Sequence, residues 1–239
     1  MTISTIAWAD NTQDFTSATA AGTLSRRQFN LDILPPDARP GQAARRFIEA
    51  RYHEIFGSQA GVRYPNLLGL SDERGRLIAA VGIRRASDGP LFLEHYLHAP
   101  AETVIAAATG HGTGRSGIVE LGSFAARSSR AATYLVIAMA AYMQHQGYSH
   151  ALVTSTGRLR RLFSLFDFDL SCLGEAHKDD LPDHGTNWGH YYDDAPRVLA
   201  GAVPHCYAAV LRERDRQTNA TRRGIIDNLI AQAQALSAC

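Results

Sequence analysis

The sequence has few cysteines and no long apolar run, and each shortage argues against a class of protein. Cys172, Cys206 and Cys239 lie far apart and form no Cys-x-x-Cys or Cys/His zinc spacing, so free thiols in a reducing cytoplasm are expected. The richest apolar run, 131–143, is shorter than the roughly 20 residues of a membrane span. Residues 1–21 lack a basic start and an apolar centre, so no signal peptide is expected.

Charge is balanced along the chain. Lys and Arg number 24 and Asp and Glu number 23, for a formal net charge of +1. This balance argues against electrostatic capture of nucleic acid, so no nucleic-acid partner is expected. The ten histidines are dispersed, and His95 and His98 fall at the end of a predicted strand, so no metal site is predicted. The hydrophobic fraction of 45% is ordinary for a globular chain that buries a core.

Apolar periodicity predicts an α/β (α+β) fold with a mixed central β-sheet flanked by helices. Residues 1–24 are predicted to be a flexible N-terminal tail, 25–213 the folded domain and 214–239 a C-terminal amphipathic helix. The predicted strands cover 28–34, 66–70, 77–83, 90–97, 117–125, 150–154, 168–173 and 202–211, and the predicted helices cover 42–56, 100–108, 129–146, 158–166 and 221–236.

The stretch 117–130 is the centre of the predicted chemistry. Its apolar run holds Glu120, which indicates a buried strand carrying a charge that must be used or paired. Ser128 and Ser129 then begin a long apolar helix whose first turn is basic. Strand, polar turn and buried helix in this order suit binding of an anionic group at the helix N-terminus. The alternatives are a structural carboxylate paired with an arginine and an ordinary serine cap.

A long polar segment, 174–196, holds the aromatic run Trp188-Gly189-His190-Tyr191-Tyr192. Connections of this length are usually functional, so the segment is predicted to be a lid or a partner surface. The alternative is that the aromatic side chains only anchor a long loop to the core.

Four phrases of the sequence resemble the bacterial thermostable hemolysin family. They are GIRRA at 82–86, PLFLEHYL at 90–97, IVELGSFA at 118–125 after Arg115, and WGHYY at 188–192. The resemblance spans about 46–203, and the family's usual phrase has Asn where this chain has Ser123. The order of elements is also similar to that of GNAT-type N-acyltransferases and, among them, the acyl-homoserine lactone synthases.

The resemblance implies a GNAT-like acyltransferase domain over 25–213. It implies transfer of a fatty acyl group from acyl carrier protein phosphopantetheine or acyl-CoA, neither bound permanently, to an amino acid or related amine. The product would be a signalling molecule or secondary metabolite. The turn 127–132 has none of the glycines of the acetyl-CoA signature, which weakens the expectation of CoA more than that of acyl transfer. A cytoplasmic enzyme without stable membrane insertion is expected, with a homodimer as one option.

Two other functions compete with acyl transfer. The family name itself suggests a membrane-active hemolysin, although the helix 221–236 has basic residues only near its start. The missing glycines of the turn suggest a non-catalytic module that binds an acyl ligand and has lost the chemistry.

Attack of an amine on a thioester needs a neutral amine, donors for the developing oxyanion and two substrates held together. Glu120 is the first candidate for the base, because burial raises the pKa of a carboxyl group, and Glu94, predicted on a neighbouring strand, is the second. For each, structural pairing or surface exposure is the alternative. The other predicted roles are donor binding by Leu121, Gly122, Ser123, Phe124, Arg127, Ser128, Ser129 and Arg130, acceptor binding by Arg84, Arg85, Tyr96 and Trp188, and carrier-protein docking by Arg158, Arg160 and Arg161.

Overall fold

A computed structural model describes residues 29–236, and the predicted tail 1–24 lies outside these residues. The strands are β1 (Asn30–Leu34), β2 (Asn66–Ser71), β3 (Leu77–Arg85), β4 (Ile118–Ala126), β5 (His150–Ser155), β6 (Leu170–Glu175) and β7 (Arg197–Ala202). The helices are α1 (Arg39–Phe56), α2 (Glu94–Leu97), α3 (Ala101–Thr109), α4 (Ser129–His145), α5 (Gly157–Ser164), α6 (Val203–Arg216) and α7 (Ala220–Leu236).

One mixed sheet organises the domain, with strand order β1-β2-β3-β4-β5-β7-β6. This confirms the predicted α/β fold with a mixed central sheet. Strands β4 and β5 run parallel, paired from Ile118 with His150 to Leu121 with Val153, and the other neighbouring pairs are antiparallel. The β4–β5 pairing ends there although both strands continue. Facing backbone groups of the two strands are therefore not paired with each other beyond this point.

A bulge lies in β4 where it leaves β5. Gly82 pairs with Gly122 and Ala80 pairs with Ala125, so two residues of β4, Ser123 and Phe124, oppose a single residue of β3. An extra residue of this kind bends a strand and redirects its side chains. The Ser123 backbone has a φ of 52°, in the left-handed region that non-glycine residues seldom adopt.

The two faces of β4 serve different clusters. Val119 and Leu121 belong to the large core cluster that includes the apolar side chains of α4 and α7. Ile118 belongs to a second cluster with Leu93 and Leu152. Because side chains alternate along a strand, Glu120 shares the face of Ile118.

The C-terminal helix α7 packs on α4 and β1 with its apolar side. Ile226 and Leu229 are buried there. The side chain of Gln232 accepts a hydrogen bond from Leu31 N at 2.9 Å and donates one to Phe29 O at 2.7 Å. The amphipathic pattern of the sequence is thus satisfied within the chain.

Two predicted strands are wrong. Residues 90–97 form a turn followed by the short helix α2, because Glu94 accepts a hydrogen bond from Leu91 N at 2.8 Å and fixes the turn locally. Residues 202–211 fall mostly in α6, and the strand is β7, just before them. Pro204 lies in the first turn of α6, where its fixed φ suits a helix start. Short apolar runs do not by themselves separate a buried strand from a buried helix.

Candidate active site

Glu120 lies in the middle of β4 and is 1% exposed. Its Oε1 accepts hydrogen bonds from the Tyr64 hydroxyl at 3.0 Å and from Leu93 N at 3.3 Å, and its Oε2 accepts one from Phe92 N at 2.8 Å. Burial raises the pKa of Glu120 above its usual range, and the three donors and the Arg84 charge oppose this shift. The result is a fixed, buried carboxyl group tuned toward proton transfer nearer neutrality.

Tyr64, which sequence reasoning missed, covers this carboxylate. Its ring lies over two paired glycines: a Cβ on Gly82 would fall 2.3 Å from Tyr64 Cγ, and one on Gly122 would fall 1.9 Å from the Tyr64 hydroxyl oxygen. The two glycines therefore make room for a phenol laid flat on the sheet. Burial and the Glu120 charge raise the pKa of Tyr64 well above its usual value, so its hydroxyl stays protonated.

A cavity of about 350 Å³ opens beside Tyr64. Its wall includes Gly122 and Ser123 at the bulge of β4 and Thr154 of β5. A much smaller apolar pocket of about 20 Å³ shares these three residues and continues between the separating strands, against Phe124 and Leu159. The gap between β4 and β5 thus joins the larger cavity, whose wall holds Arg84, to a small extension bordered by Phe124 and Leu159.

Arg84 lies in the cavity wall without a carboxylate partner within salt-bridge distance in residues 29–236. Its guanidinium donates to Arg63 O at 2.6 Å and to Pro90 O at 3.3 Å. It also lies over the Tyr64 ring, 5.7 Å from the centroid. Its Nε is buried and has no hydrogen-bond partner among the described residues 29–236. Because its hydrogen-bond partners Arg63 O and Pro90 O are neutral, the guanidinium keeps its charge available to an anionic ligand.

Arg85, the neighbouring acceptor-binding prediction, lies elsewhere. It is exposed and is not among the residues of the cavity wall. Its side chain interacts with the Tyr148 hydroxyl, and this interaction and the Arg85 charge partly oppose the burial that raises the pKa of Tyr148. The structure therefore brings Arg84 to the cavity and leaves Arg85 outside it.

Glu94, the second candidate for the base, holds the segment between β3 and β4 together through hydrogen bonds. It is on α2 and not on a strand, and it does not line the cavity. Its Oε1 bonds Arg115 at 2.7 Å and Ala101 N at 2.8 Å. Partial burial works to raise the pKa of Glu94, but Arg115 and the backbone donors hold it below its usual range. Arg115 also pairs with Glu102 at 2.7 Å, so a joint deprotonation by Glu94 and Glu120 has no support in this placement.

The polar segment 176–196 covers the cavity with aromatic side chains. Trp188 lies 6.0 Å from Phe92 and 5.3 Å from Tyr191, measured between ring centroids. The Tyr96 and Tyr192 hydroxyls share a hydrogen bond of 2.7 Å. Predicted acceptor-binding residues Tyr96 and Trp188 both line the cavity, and the segment forms part of its wall, as a lid would.

The predicted donor-binding residues fall into two groups. Gly122, Ser123 and Phe124 line the cavity or its apolar extension, whereas Leu121 points into the core. The other four residues lie at the end of β4 and the start of α4 and line neither space: Arg127, Ser128, Ser129 and Arg130.

The start of α4 is an ordinary serine cap. Ser128 Oγ accepts a hydrogen bond from Ala131 N at 3.2 Å. Arg127 donates to Leu77 O at 2.9 Å and lies over the Phe47 ring, 5.1 Å from its centroid. These contacts account for both residues structurally.

The predicted carrier-docking arginines lie on α5, which follows β5. Arg161 is exposed, and Arg158 and Arg160 are half-buried. Arg160 donates to Ser155 O at 2.8 Å, which ties its guanidinium to the end of β5. The exposed Leu165, 70% accessible, follows one turn after Arg161.

Residues 29–236 hold no group of three or more His, Cys, Asp and Glu side chains that could bind a metal ion. Over the same residues, no helix has both the length and the apolarity needed to cross a membrane.

Comparison with known sequences gives the family. The sequence model of the family described as thermostable hemolysin matches residues 35–207. The chain belongs to the thermostable hemolysin family. No curated protein sequence matches it.

Solved structures show that this hemolysin-family chain shares its fold with acyl-transferring synthases. FeeM, an N-acyl amino acid synthase from uncultured soil microbes, is 20% identical with a TM-score of 0.55, over 80% of this chain and 99% of that chain. The acyl-homoserine lactone synthase LasI is 13% identical with a TM-score of 0.51, over 74% and 91%. At these identities the similarity is one of fold.

Proposed function

We propose that the protein is an N-acyltransferase that moves a fatty acyl group from an acyl carrier protein or acyl-CoA thioester to an amino acid or related amine. The observation that carries the proposal is the Glu120–Tyr64 hydrogen bond at the wall of a cavity placed where β4 and β5 separate. This arrangement joins a proton acceptor, a chamber for an amine and an opening for a thioester. FeeM, which has the same fold, is an N-acyl amino acid synthase.

The thioester arm would enter between the separating strands. Beyond Leu121 and Val153 the facing backbone groups of β4 and β5 are not paired with each other, so they are open to the amide groups of a phosphopantetheine arm. The bulge at Ser123 widens this gap. The acyl chain would pass along the apolar extension formed by Phe124 and Leu159.

The acceptor would bind in the larger cavity through its carboxylate. Arg84 lies in the wall of this cavity without a carboxylate partner in residues 29–236, and a guanidinium matches a carboxylate in bidentate geometry. Tyr96 and Trp188 would surround the acceptor side chain. With its carboxylate on Arg84, the acceptor would direct its amine toward Tyr64 and Glu120.

The membrane-active alternative has little support in the fold. The apolar side of α7, which would have to face a bilayer, is packed on α4 and β1. The non-catalytic alternative remains an outcome of the test below.

The experiment is an incubation of the purified protein with acyl-CoA or acyl carrier protein donors and pooled amino acids, followed by mass spectrometry of the products. Wild type is expected to form N-acyl amino acids, and Glu120→Gln to form them far more slowly. Gly112→Ala is the matched control, because a Cβ there meets open space. Intact donor with every amine would contradict the proposal, and tight donor binding without turnover would favour a binding module.

A further inference from the structure

We propose that Tyr64 is the group that touches the acceptor amine, and that it passes the ammonium proton of the acceptor to Glu120. This inference rests on the proposed acyl transfer. It assigns a catalytic role to a residue that no sequence motif marked, and it changes the role of Glu120 from a base in contact with substrate to the final proton acceptor behind a relay.

The first reason is that Glu120 does not reach the cavity. It is 1% exposed and does not belong to the cavity wall. Both of its oxygens are occupied, Oε2 by Phe92 N and Oε1 by Leu93 N and the Tyr64 hydroxyl. Because the carboxylate is buried and does not line the cavity, an acceptor in the cavity does not reach it directly.

The second reason is that the Tyr64 hydroxyl stands between the carboxylate and the cavity. It donates to Glu120 at 3.0 Å, and it lies directly above Gly122, which lines the cavity together with Tyr64. A hydroxyl has one proton to donate and two lone pairs. With its proton directed at Glu120, its oxygen remains an acceptor for an N–H of the bound amine.

The third reason is that the phenol is held in one orientation. Gly82 and Gly122 support one face of the ring, and the Arg84 guanidinium lies over the ring at 5.7 Å from the centroid. Arg45 donates to the Tyr64 carbonyl at 3.3 Å. A relay needs a fixed donor–acceptor geometry. The same Arg84 that would bind the acceptor carboxylate also borders the phenol, so one small acceptor spans both groups.

The proton balance of the step is simple. The acceptor enters as an ammonium ion. Its proton moves to the Tyr64 oxygen while the Tyr64 hydroxyl proton moves to Glu120 Oε1, which leaves a neutral amine, an unchanged phenol and a protonated carboxyl group. The amine nitrogen then forms a bond to the thioester carbonyl carbon and the C–S bond breaks. The second amine proton ends on the departing thiolate, and Glu120 returns its proton to solvent.

The test compares two nucleophiles on wild type, Tyr64→Phe and Glu120→Gln. One is the amino acid that gives wild type its highest rate. The other is aminooxyacetate, which keeps a carboxylate for Arg84 but carries a nitrogen that is unprotonated at neutral pH and needs no deprotonation before attack. Tyr142→Phe is the control, because this buried tyrosine of α4 does not line the cavity. Acyl-CoA binding and thermal unfolding are measured on every variant.

With the amino acid, Tyr64→Phe and Glu120→Gln are each expected to be slower than wild type by about 100-fold or more, the usual loss when general base catalysis is removed. With aminooxyacetate both variants are expected to approach the wild-type rate. Donor binding is expected to be unchanged in Tyr64→Phe, since the ring still fills the space over the glycines, and only a modest loss of thermal stability is expected from the missing hydrogen bond to Glu120.

Three results overturn the inference in distinguishable ways. Wild-type rates for Tyr64→Phe with the amino acid would remove the relay and leave acyl transfer standing. Equal losses with both nucleophiles would show that Tyr64 only shapes the site. A wild-type protein that forms neither an amide nor an acyl hydroxamate, after subtraction of the uncatalysed reaction, would remove the proposed function and the relay together.

Discussion

Gly82 and Gly122 are direct partners across β3 and β4, and the ring of Tyr64 fills the space that their side chains would take. Neither glycine adopts a positive φ. Their value here is the absence of a Cβ, which brings a phenol onto the sheet and into contact with Glu120.

Gly122→Ala is therefore expected to displace Tyr64 and to lower turnover at least about 10-fold, because a Cβ would lie 1.9 Å from the hydroxyl oxygen. Overpacking should also lower the free energy of unfolding by about 1–3 kcal/mol. Kinetics and chemical denaturation check both effects. Gly112→Ala, with open space at its Cβ, should change neither, and normal turnover in Gly122→Ala would show that the phenol position is not needed.

Arg84→Gln should weaken binding of amino acid acceptors by roughly 10- to 100-fold, the usual cost of losing a charge-assisted pair. Acceptors that have an amine but no carboxylate should be affected little. Steady-state KM values for an amino acid and its decarboxylated amine measure this difference. Arg85→Gln is the neighbouring control, since Arg85 lies outside the cavity wall. An equal loss for both acceptors would remove the carboxylate assignment.

Glu94→Gln should reduce stability and leave turnover nearly unchanged. Losing the charge that Arg115 binds at 2.7 Å is expected to cost about 1–3 kcal/mol of unfolding free energy at neutral pH. The pKa of Glu94 is lowered in the folded state, so its stabilising contribution exists above the unfolded-state pKa and is lost as pH falls through the folded-state pKa.

Denaturation of wild type and Glu94→Gln across this acidic range should show the two curves converging. Glu102→Gln, whose side chain is more exposed at 31% against 15%, should lose less stability. A large kinetic defect in Glu94→Gln with normal stability would return Glu94 to the list of catalytic candidates.

The pH dependence of kcat/KM should reflect the titration of Glu120. Its pKa is raised by burial, so the acidic limb of the kcat/KM profile should lie at a higher pH than the limb of an ordinary carboxylate. Tyr64→Phe should move this limb to a still higher pH, because the carboxylate loses a hydrogen-bond donor. An acidic limb at the usual carboxylate pH would contradict this assignment.

The contribution of Glu120 to the free energy of unfolding changes with pH in the opposite direction from that of Glu94. The folded state holds the Glu120 proton more tightly than the unfolded state, so the free energy of unfolding falls as pH rises from the unfolded-state pKa through the folded-state pKa. Glu120→Gln does not titrate. Its melting temperature should therefore gain on that of wild type across this range, which differential scanning calorimetry measures.

Arg161→Glu separates the two donor classes. If the exposed face of α5 docks an acidic carrier protein, the charge reversal should raise KM for acyl carrier protein roughly 10-fold and leave KM for acyl-CoA near wild type. Arg74→Glu, on the exposed β2–β3 turn, is the control for a general change of charge. Equal effects on both donors would argue against a docking role.

Much of the fold follows from local sequence. The single carboxylate in the apolar run 117–125 predicted a buried strand, and the long apolar run after Ser128 predicted the buried helix α4; both are present, the strand as β4. The hairpin of β2 and β3 also follows from its polar turn. These elements need no knowledge of distant parts of the chain.

Tyr64 was not predictable in the same way. Its position depends on the register that sets Gly82 against Gly122 and on a loop that returns across the sheet, and neither is encoded in a short pattern. The paired glycines were the available signal. The strand predicted around Glu94 is wrong because of a local contact. Its neighbours fit a strand pattern, but the Glu94 carboxylate accepts a hydrogen bond from Leu91 N and fixes a turn.

The backbone conformation of Ser123 bears on the difference from the family phrase, in which Asn is expected at this position. With a φ of 52°, this position favours residues that tolerate left-handed backbone, and Asn does so better than Ser. Asn, which the resemblance leads us to expect at this place, would therefore suit the bulge better than Ser does.

Tyr96 and Trp188 of the cavity wall belong to a different cluster from the apolar contacts of α4 with α7. New acceptors can thus be accommodated by exchanging Tyr96 or Trp188 while the part of the chain that makes the domain fold stays untouched. A protein engineer seeking a different amide product would therefore vary these two side chains first and leave Tyr64, which packs in the large core cluster, in place.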